Sequence, residues 1–228
     1  ETMNIDIKDI EKKITKKTKA IIPVHFAGRP CEMDKIILIA KKFDLKVIED
    51  CAHAIETKYK GKFAGTIGDI GCLSFYVTKN VVTGEGGAII TNNVKYANKI
   101  KVLALHGLTK NAWSRFNDKG YLHYKVVSPG FKYNMMDIQA SIGIHQLRKI
   151  TGSWKKRKKI WEFYNESFKK MPFIKLDSIM QNMRHAYHLY IILLDINKLN
   201  ITRDIFLEEM RKSNIGVGVH YTALHLHP

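Results

Sequence analysis

The chain reads as α/β, with a mostly parallel central sheet followed by a smaller α+β domain. Two observations predict it. An apolar run from Ala20 (AIIPVH), a helical set at Met33, Ile36, Ile37, Ala40 and Phe43, and a second apolar run at Val47 and Ile48 succeed one another within about 30 residues. That spacing is a right-handed crossover, which sets two parallel strands side by side. The apolar runs ending at Ile48 and at Tyr76 are each followed by polar groups, Glu49 and Asp50 after the first and Lys79 after the second. In open α/β sheets the carboxyl edge of the strands is where ligands bind, so an acid and a lysine delivered there form a candidate site.

Taken in order, residues 4–19 form a lysine-rich helical prelude with Ile7, Ile10 and Ile14 on one face. AIIPVH is expected as a buried strand, and Gly28, Arg29 and Pro30 turn the chain into the helix that leads to KVIED. TKYKGKFAG suggests a short hairpin about Lys60 and Gly61. After the run Ile70 to Tyr76, the glycines Gly84, Gly86 and Gly87 allow a tight turn before AIIT resumes as a strand. A helix from Val94 to His106 follows, with Ala97, Ile100, Val102, Leu103 and Leu105 as its inner set. Residues 107–134, rich in aromatics and glycine, read as a functional or interfacial loop. Asn134 and Asp137 resemble an N-cap and its third-position acid before a helix from Ile138 to Ile150. A separate helix is expected from Ser153, its Trp154, Trp161 and Phe168 forming a packing seam. HAYHLYIILLD then reads as a strand, Thr202 caps a helix to Ser213, and GVGVHY begins another strand. The expected domains are residues 1–151, part of a large ligand-binding domain, and 152–228, a connecting helix with part of a small C-terminal domain.

Composition narrows the function classes. With 228 residues, 45% of them apolar, the chain can bury a substantial core. Cys31, Cys51 and Cys72 stand apart without metal-ligand spacing and read as reduced thiols of a cytoplasmic protein; no metal site is expected. No apolar run approaches the roughly 18 residues of a membrane span. The net charge of +17 would permit nucleic acid binding, but much of the excess lies in Lys8 to Lys19 and Lys155 to Lys170, which read as solvent faces of helices. A basic protein also suits substrates that carry a diphosphate.

The chemistry of the candidate site follows from the residue types. A lysine held by a glycine-rich turn suits imine formation, because the neutral amine attacks a carbonyl. An aspartate facing it could keep a pyridine nitrogen protonated and electron-withdrawing. Taken alone, Lys79 would be a surface lysine, Asp50 a loop acid, His53 a packing residue and Ser74 a small polar residue inside a strand.

VIEDCAHA, SFYVTKN, TGEGG and SPGFKYNMMDIQA, in that order, resemble the DegT/DnrJ/EryC1/StrS sugar aminotransferases, members of the aspartate-aminotransferase fold type. The likeness runs from AIIPVHFAG to VHYTALH and is nearest to enzymes that aminate the 4-keto position of UDP-linked sugars, such as the one making 4-amino-4-deoxyarabinose. It implies a pyridoxal-phosphate-dependent transferase of fold type I, with Lys79 joined to the cofactor and Asp50 on its pyridine nitrogen. His53 would bond its phenolic oxygen, and Ser74 its phosphate. Asn134 would reach the phosphate in a neighbouring subunit, which implies a homodimer with shared sites, and His220 and Tyr221 would help hold the sugar nucleotide. The amino donor would be glutamate, the acceptor a nucleotide-linked keto-sugar, and the setting polysaccharide biosynthesis in the cytoplasm. The family's ring-stacking aromatic residue and amino-terminal phosphate-binding turn have no counterpart here. Its members are also longer, so the chain reads as a fragment. Two rivals remain. One is a sugar dehydratase of the same fold, in which a histidine replaces the lysine; the other is a regulatory or nucleic-acid-binding protein on a borrowed fold.

Overall fold

The computed structural model describes residues 2–109, 116–117, 120–121, 125–177, 181–221 and 226–228. The chain divides into two compact units, one of Glu1–Trp161 with Ser178–Tyr190 and the other of Glu162–Asp177 with Ile191–Pro228.

In the first unit, α1 (Ile7–Lys13) is capped by Asp6, whose carboxylate accepts from Lys8 N–H, and it buries Ile10. β1 (Ala20–Ile21) is shorter than AIIPVH suggests because Pro23 has no N–H to pair. The strand direction continues only as a bridge from Val24 to Asp50, and Ile22 and Val24 are exposed, so this run is not the buried strand expected. A single 3₁₀ turn, Phe26–Gly28, leads to α2 (Met33–Lys42), which buries Met33, Ile36, Ile39 and Ala40. β2 (Lys46–Asp50) pairs parallel with β1, and this realises the predicted crossover.

β3 (Lys58–Tyr59) and β4 (Lys62–Phe63) form the expected hairpin, with Lys60 and Gly61 both at positive φ, as a two-residue type I′ turn demands. β5 (Ile70–Ser74) lies parallel to β2, and β6 (Gly87–Ile90) lies antiparallel to β5. The sheet order is therefore β1-β2-β5-β6. Its core is the apolar side of α2 packed on Ile21, Leu45 and Val47, with Ile10 and Tyr59 closing the edges.

α3 (Val94–Leu103) is capped by Asn93, and the predicted inner set is half-buried. Much of the expected loop 107–134 lies outside the described residues; within it, β7 (Phe116–Asn117) pairs with β8 (Gly120–Tyr121). α4 (Asp137–Phe168) is one continuous helix, where two were expected. A glycine costs about 1 kcal/mol in a helix interior, too little for Gly152 to separate the strong helix formers of 146–149 from those of 155–159. The cap also differs. Gln139 Oε1 accepts from Met136 N–H (3.0 Å), while Asn134 accepts from the Lys132 ammonium instead of capping the helix. Trp154 and Trp161 pack as the seven-residue seam predicts, Trp161 against His185, Tyr187 and Tyr190. In chain order β9 (Ile174–Leu176) comes next and belongs to the second unit, whereas β10 (Met183–Arg184) adds to the hairpin edge beside β3.

In the second unit, β9 pairs antiparallel with β11 (Ile192–Leu194), followed by α5 (Ile196–Leu199) and α6 (Arg203–Lys212), the latter capped by Thr202. HAYHLYIILLD is thus only partly strand, and Ile215 to Tyr221 form none. Among the described residues no helix is long and apolar enough to cross a membrane.

Candidate active site

β2 ends on two acids that face opposite ways, because successive side chains of a strand alternate. Glu49 is fully buried. Its carboxylate accepts from His25 Nε2 (3.0 Å), Gly65 N–H (2.8 Å), and Ile67 and Gly68 N–H (2.8 and 2.6 Å). Burial alone would raise the Glu49 carboxyl, yet the bonds from His25, Gly68 and Gly65 hold it below its ordinary value. His25 Nδ1 accepts from Cys31 N–H (3.0 Å), so Nε2 carries the proton given to Glu49. His25, Glu49 and Cys51 lie close enough to suggest a metal site, but the imidazole and carboxylate are already saturated by hydrogen bonds, and burial pushes the Cys51 thiol up. Glu49 is a brace that ties β2 to the 65–68 turn.

Asp50 has the other orientation. Half-buried, it accepts from Ala52 N–H (2.9 Å) at the carboxyl end of β2, level with Cys72 of β5. Three residues on, His53 accepts from Ala27 N–H through Nδ1 (3.2 Å), which leaves the proton on Nε2. β5 ends at Ser74, whose hydroxyl accepts from Tyr76 N–H (3.4 Å). Phe75 N–H then donates to Gly86 O (2.8 Å) and Thr83 N–H to Phe75 O (2.9 Å), closing a loop that carries Lys79. Val81, 1% exposed, anchors that loop, and Lys79 is half-buried. Gly84 and Gly86 take the positive φ values that the turn requires, as expected.

The structure brings Asp50, His53 and Lys79 to the same edge. Burial lowers the His53 pKa first, the Lys79 charge lowers it further, and Asp50 opposes both. Ser74 lies on that edge, one residue before the loop. Asn134 is exposed and accepts from the Lys132 ammonium; α4 begins beside the glycine turn, with Gln139 Nε2 donating to Glu85 O (3.0 Å). His220 and Tyr221, ring to ring at 4.1 Å, belong to the second unit.

Other residues of the site were not foreseen. Asn80 Nδ2 donates to Glu56 Oε2 (2.8 Å), and Asn80 Oδ1 accepts from His188 Nδ1 (2.8 Å). Arg157 pairs with the buried Glu56 and donates to Ala186 O (3.3 Å). It turns inward from a run of cations that reads as a solvent face. His188 sits on His53, ring centroids 4.4 Å apart. The segment 186–189 is strapped on by Ala186 N–H to Gly28 O (2.9 Å) and His188 N–H to Ala27 O (3.1 Å). Gly28 permits this approach, since a Cβ there would lie 2.7 Å from Ala186 Cβ. The HAYHLY segment read as strand, so only its paired histidines could have signalled this role.

A cavity of about 710 Å³ opens at the opposite, amino end of the strands, between α2, the hairpin and Asp69. Two of its three acids are engaged, Asp34 accepting from Tyr59 and Lys60, and Asp69 from Val47 N–H, while Asp44 also lines it.

A mixed, mostly parallel sheet with acid, imidazole and amine at its carboxyl edge is an α/β enzyme scaffold, and the solved structures it matches place it in pyridoxal-phosphate fold type I. The profile of the DegT/DnrJ/EryC1/StrS aminotransferase family matches residues 1–228, and the chain belongs to that family, whose enzymes depend on pyridoxal 5′-phosphate. It is 52% identical over its whole length to the uncharacterized protein MJ1066 of Methanocaldococcus jannaschii. It is 42% identical to the spore coat polysaccharide biosynthesis protein SpsC of Bacillus subtilis. The chain spans 59% of the length of each of these relatives. Among solved structures, PseC of Helicobacter pylori, an aminotransferase of pseudoaminic acid biosynthesis, superposes with TM-score 0.88 at 29% identity, over 98% of this chain and 58% of its own. Spr1654 of Streptococcus pneumoniae in its PMP form superposes with TM-score 0.86 at 31% identity, over 98% and 61%.

Proposed function

We propose that the protein is a pyridoxal-phosphate-dependent aminotransferase that moves an amino group from glutamate to the 4-keto position of a nucleotide-linked sugar, with UDP as the nucleotide, acting as a cytoplasmic homodimer. The observation that carries it is the convergence of Asp50, His53 and Lys79 on one sheet edge. These groups fit the cofactor. Asp50 can hold the proton of a pyridine nitrogen, the Nε2–H of His53 can bond a phenolic oxygen, and Ser74 can donate to phosphate. When bound, the cofactor supplies an electron sink for the carbanion left by proton loss from the amino acid.

The roles of the chain's own groups follow from that fit. Lys79, on its closed loop, would attach the cofactor through its amine and would serve as the base that takes up and returns the α-proton of the amino donor. Asp50 would face the ring nitrogen, and His53 would donate to the phenolic oxygen. In this reading Asn134 serves the phosphate in the partner subunit, and His220 and Tyr221 serve the sugar nucleotide. The proposed division is a cofactor domain over residues 1–151 and a connecting helix with a small domain over 152–228. The dehydratase alternative is disfavoured by Lys79, which stands where that branch has a histidine.

The test is amino transfer from glutamate across a panel of nucleotide 4-keto-sugars, read by product mass. An aminated nucleotide sugar is expected. Loss of water without amination would favour the dehydratase, and no conversion of any member would overturn the proposal.

A further inference from the structure

The site contains a second imidazole that the proposed reaction leaves without a task. Asn80 fixes its chemical form. The Nδ2 group of Asn80 faces two acceptors, Glu56 Oε2 (2.8 Å) and Ala186 O (3.4 Å), so its Oδ1 must be the atom turned to His188. An amide oxygen only accepts, and the Nδ1 of His188 at 2.8 Å is therefore protonated. Neutral His188 then has its lone pair on Nε2. The amide is held in turn, because Arg157 pairs with the same Glu56, 3% exposed, and also bonds Ala186 O. His53 has the opposite tautomer, with Nδ1 accepting from Ala27 N–H and the proton on Nε2. The two rings lie 4.4 Å apart and 31° from parallel.

We propose that His188 is a positioning residue: locked by Asn80 as the Nδ1–H form, it covers the His53 ring and keeps it neutral at the site edge, where Ala27 N–H leaves it an Nε2–H donor. The inference rests on the cofactor reading above for its use, since the phenolic oxygen is what that donor would meet. His188 acts only through His53. The charged and titratable groups about the pair are Lys79 and Asp50 on the His53 side, and Lys79, Arg157 and His185 on the His188 side. Burial, then His53, Lys79, Arg157 and His185, pushes His188 down to about 4, which keeps it neutral at physiological pH. A charged ring there would repel both Lys79 and any proton gained by His53.

The test uses the whole chain with ¹⁵N-labelled histidine, without added cofactor, so that it does not depend on catalysis. Long-range ¹H–¹⁵N spectra should give His188 as Nδ1–H and His53 as Nε2–H. His188→Asn retains a donor to Asn80 through its side-chain amide but removes the ring. In a variant that remains folded, the His53 midpoint should rise by about half a pH unit or more as water reaches it, its tautomer still set by Ala27 N–H. Asn80→Leu should release His188 from the Nδ1–H form. A purely structural His188 would change stability and leave the His53 midpoint in place, which would overturn the proposal. So would a wild-type His188 found as Nε2–H, a measurement that requires no variant to fold. With cofactor added, the pH midpoint of its visible band should move in His188→Asn in step with His53. If no cofactor joins Lys79, the cofactor reading fails while the cofactor-free spectra still decide the tautomer question.

Discussion

Two acid–histidine arrangements leave the same strand on opposite faces, and their contrast separates scaffold from site. Glu49 with His25 lies in the interior, and every polar side-chain atom of the pair has a hydrogen-bond partner. Asp50 with His53 lies half-buried at the strand ends, with one carboxylate oxygen on Ala52 N–H, one ring nitrogen on Ala27 N–H, and the Lys79 amine within electrostatic reach. Residue type does not distinguish them. What distinguishes them is hydrogen-bonding capacity left for a ligand, which the first pair lacks and the second retains.

The strongest way to break this comparison is at Lys79. Lys79→Ala should lower amino transfer by at least about 10³-fold, with the urea midpoint nearly unchanged, because the side chain is half-exposed and the loop is anchored by Val81. Glu49→Ala should do the reverse. It strands His25 Nε2–H and three backbone N–H groups in the interior, a loss of about 3–5 kcal/mol measurable by urea denaturation. Arg157→Met should fall between them, costing about 2 kcal/mol through the charged hydrogen bond to Glu56 and reducing activity through the displaced Asn80.

Acid titration of stability sharpens the contrast further. His185 is pushed down to about 4 by burial and then Arg29, and His188 to about 4 by burial and then its charged neighbours, from an ordinary 6.5. Both stay neutral in the fold while the unfolded chain takes up protons. Their contribution is complete above pH 6.5 and disappears as the pH falls through 4. Glu49 has a lowered folded value, so its contribution is complete above about 4.5 and is lost only below that. Urea midpoints at about pH 7.5, 5.5 and 3.5 should therefore fall in two stages. His185→Gln should weaken the first stage and Glu49→Gln the second.

Much of the scaffold was legible because its signals are local. The Met33–Phe43 periodicity, the Lys60–Gly61 turn and the glycines after Lys79 each require only neighbours in sequence. The parts that were not legible depend on contacts distant in the chain. The apolar spacing of HAYHLY looks like strand, yet its Tyr187 packs on Trp154 and Trp161 and its backbone bonds Ala27 and Gly28. Arg157 is one of many cations in its run, and nothing local marks it as the partner of Glu56, 101 residues away. Of the residues at this edge, Asp50, His53, Ser74 and Lys79 stand out in the sequence through their motifs, whereas Asn80 and His188 emerge only when residues 185–190 fold back over them.

The most direct test of the central claim is covalent. The chain is incubated with pyridoxal 5′-phosphate, reduced with borohydride, digested and mapped by mass spectrometry. The account predicts one dominant pyridoxyl label, on the peptide carrying Lys79, and its loss in Asp50→Ala. Label spread evenly over the surface lysines, with Lys79 no more modified than the rest, would contradict it.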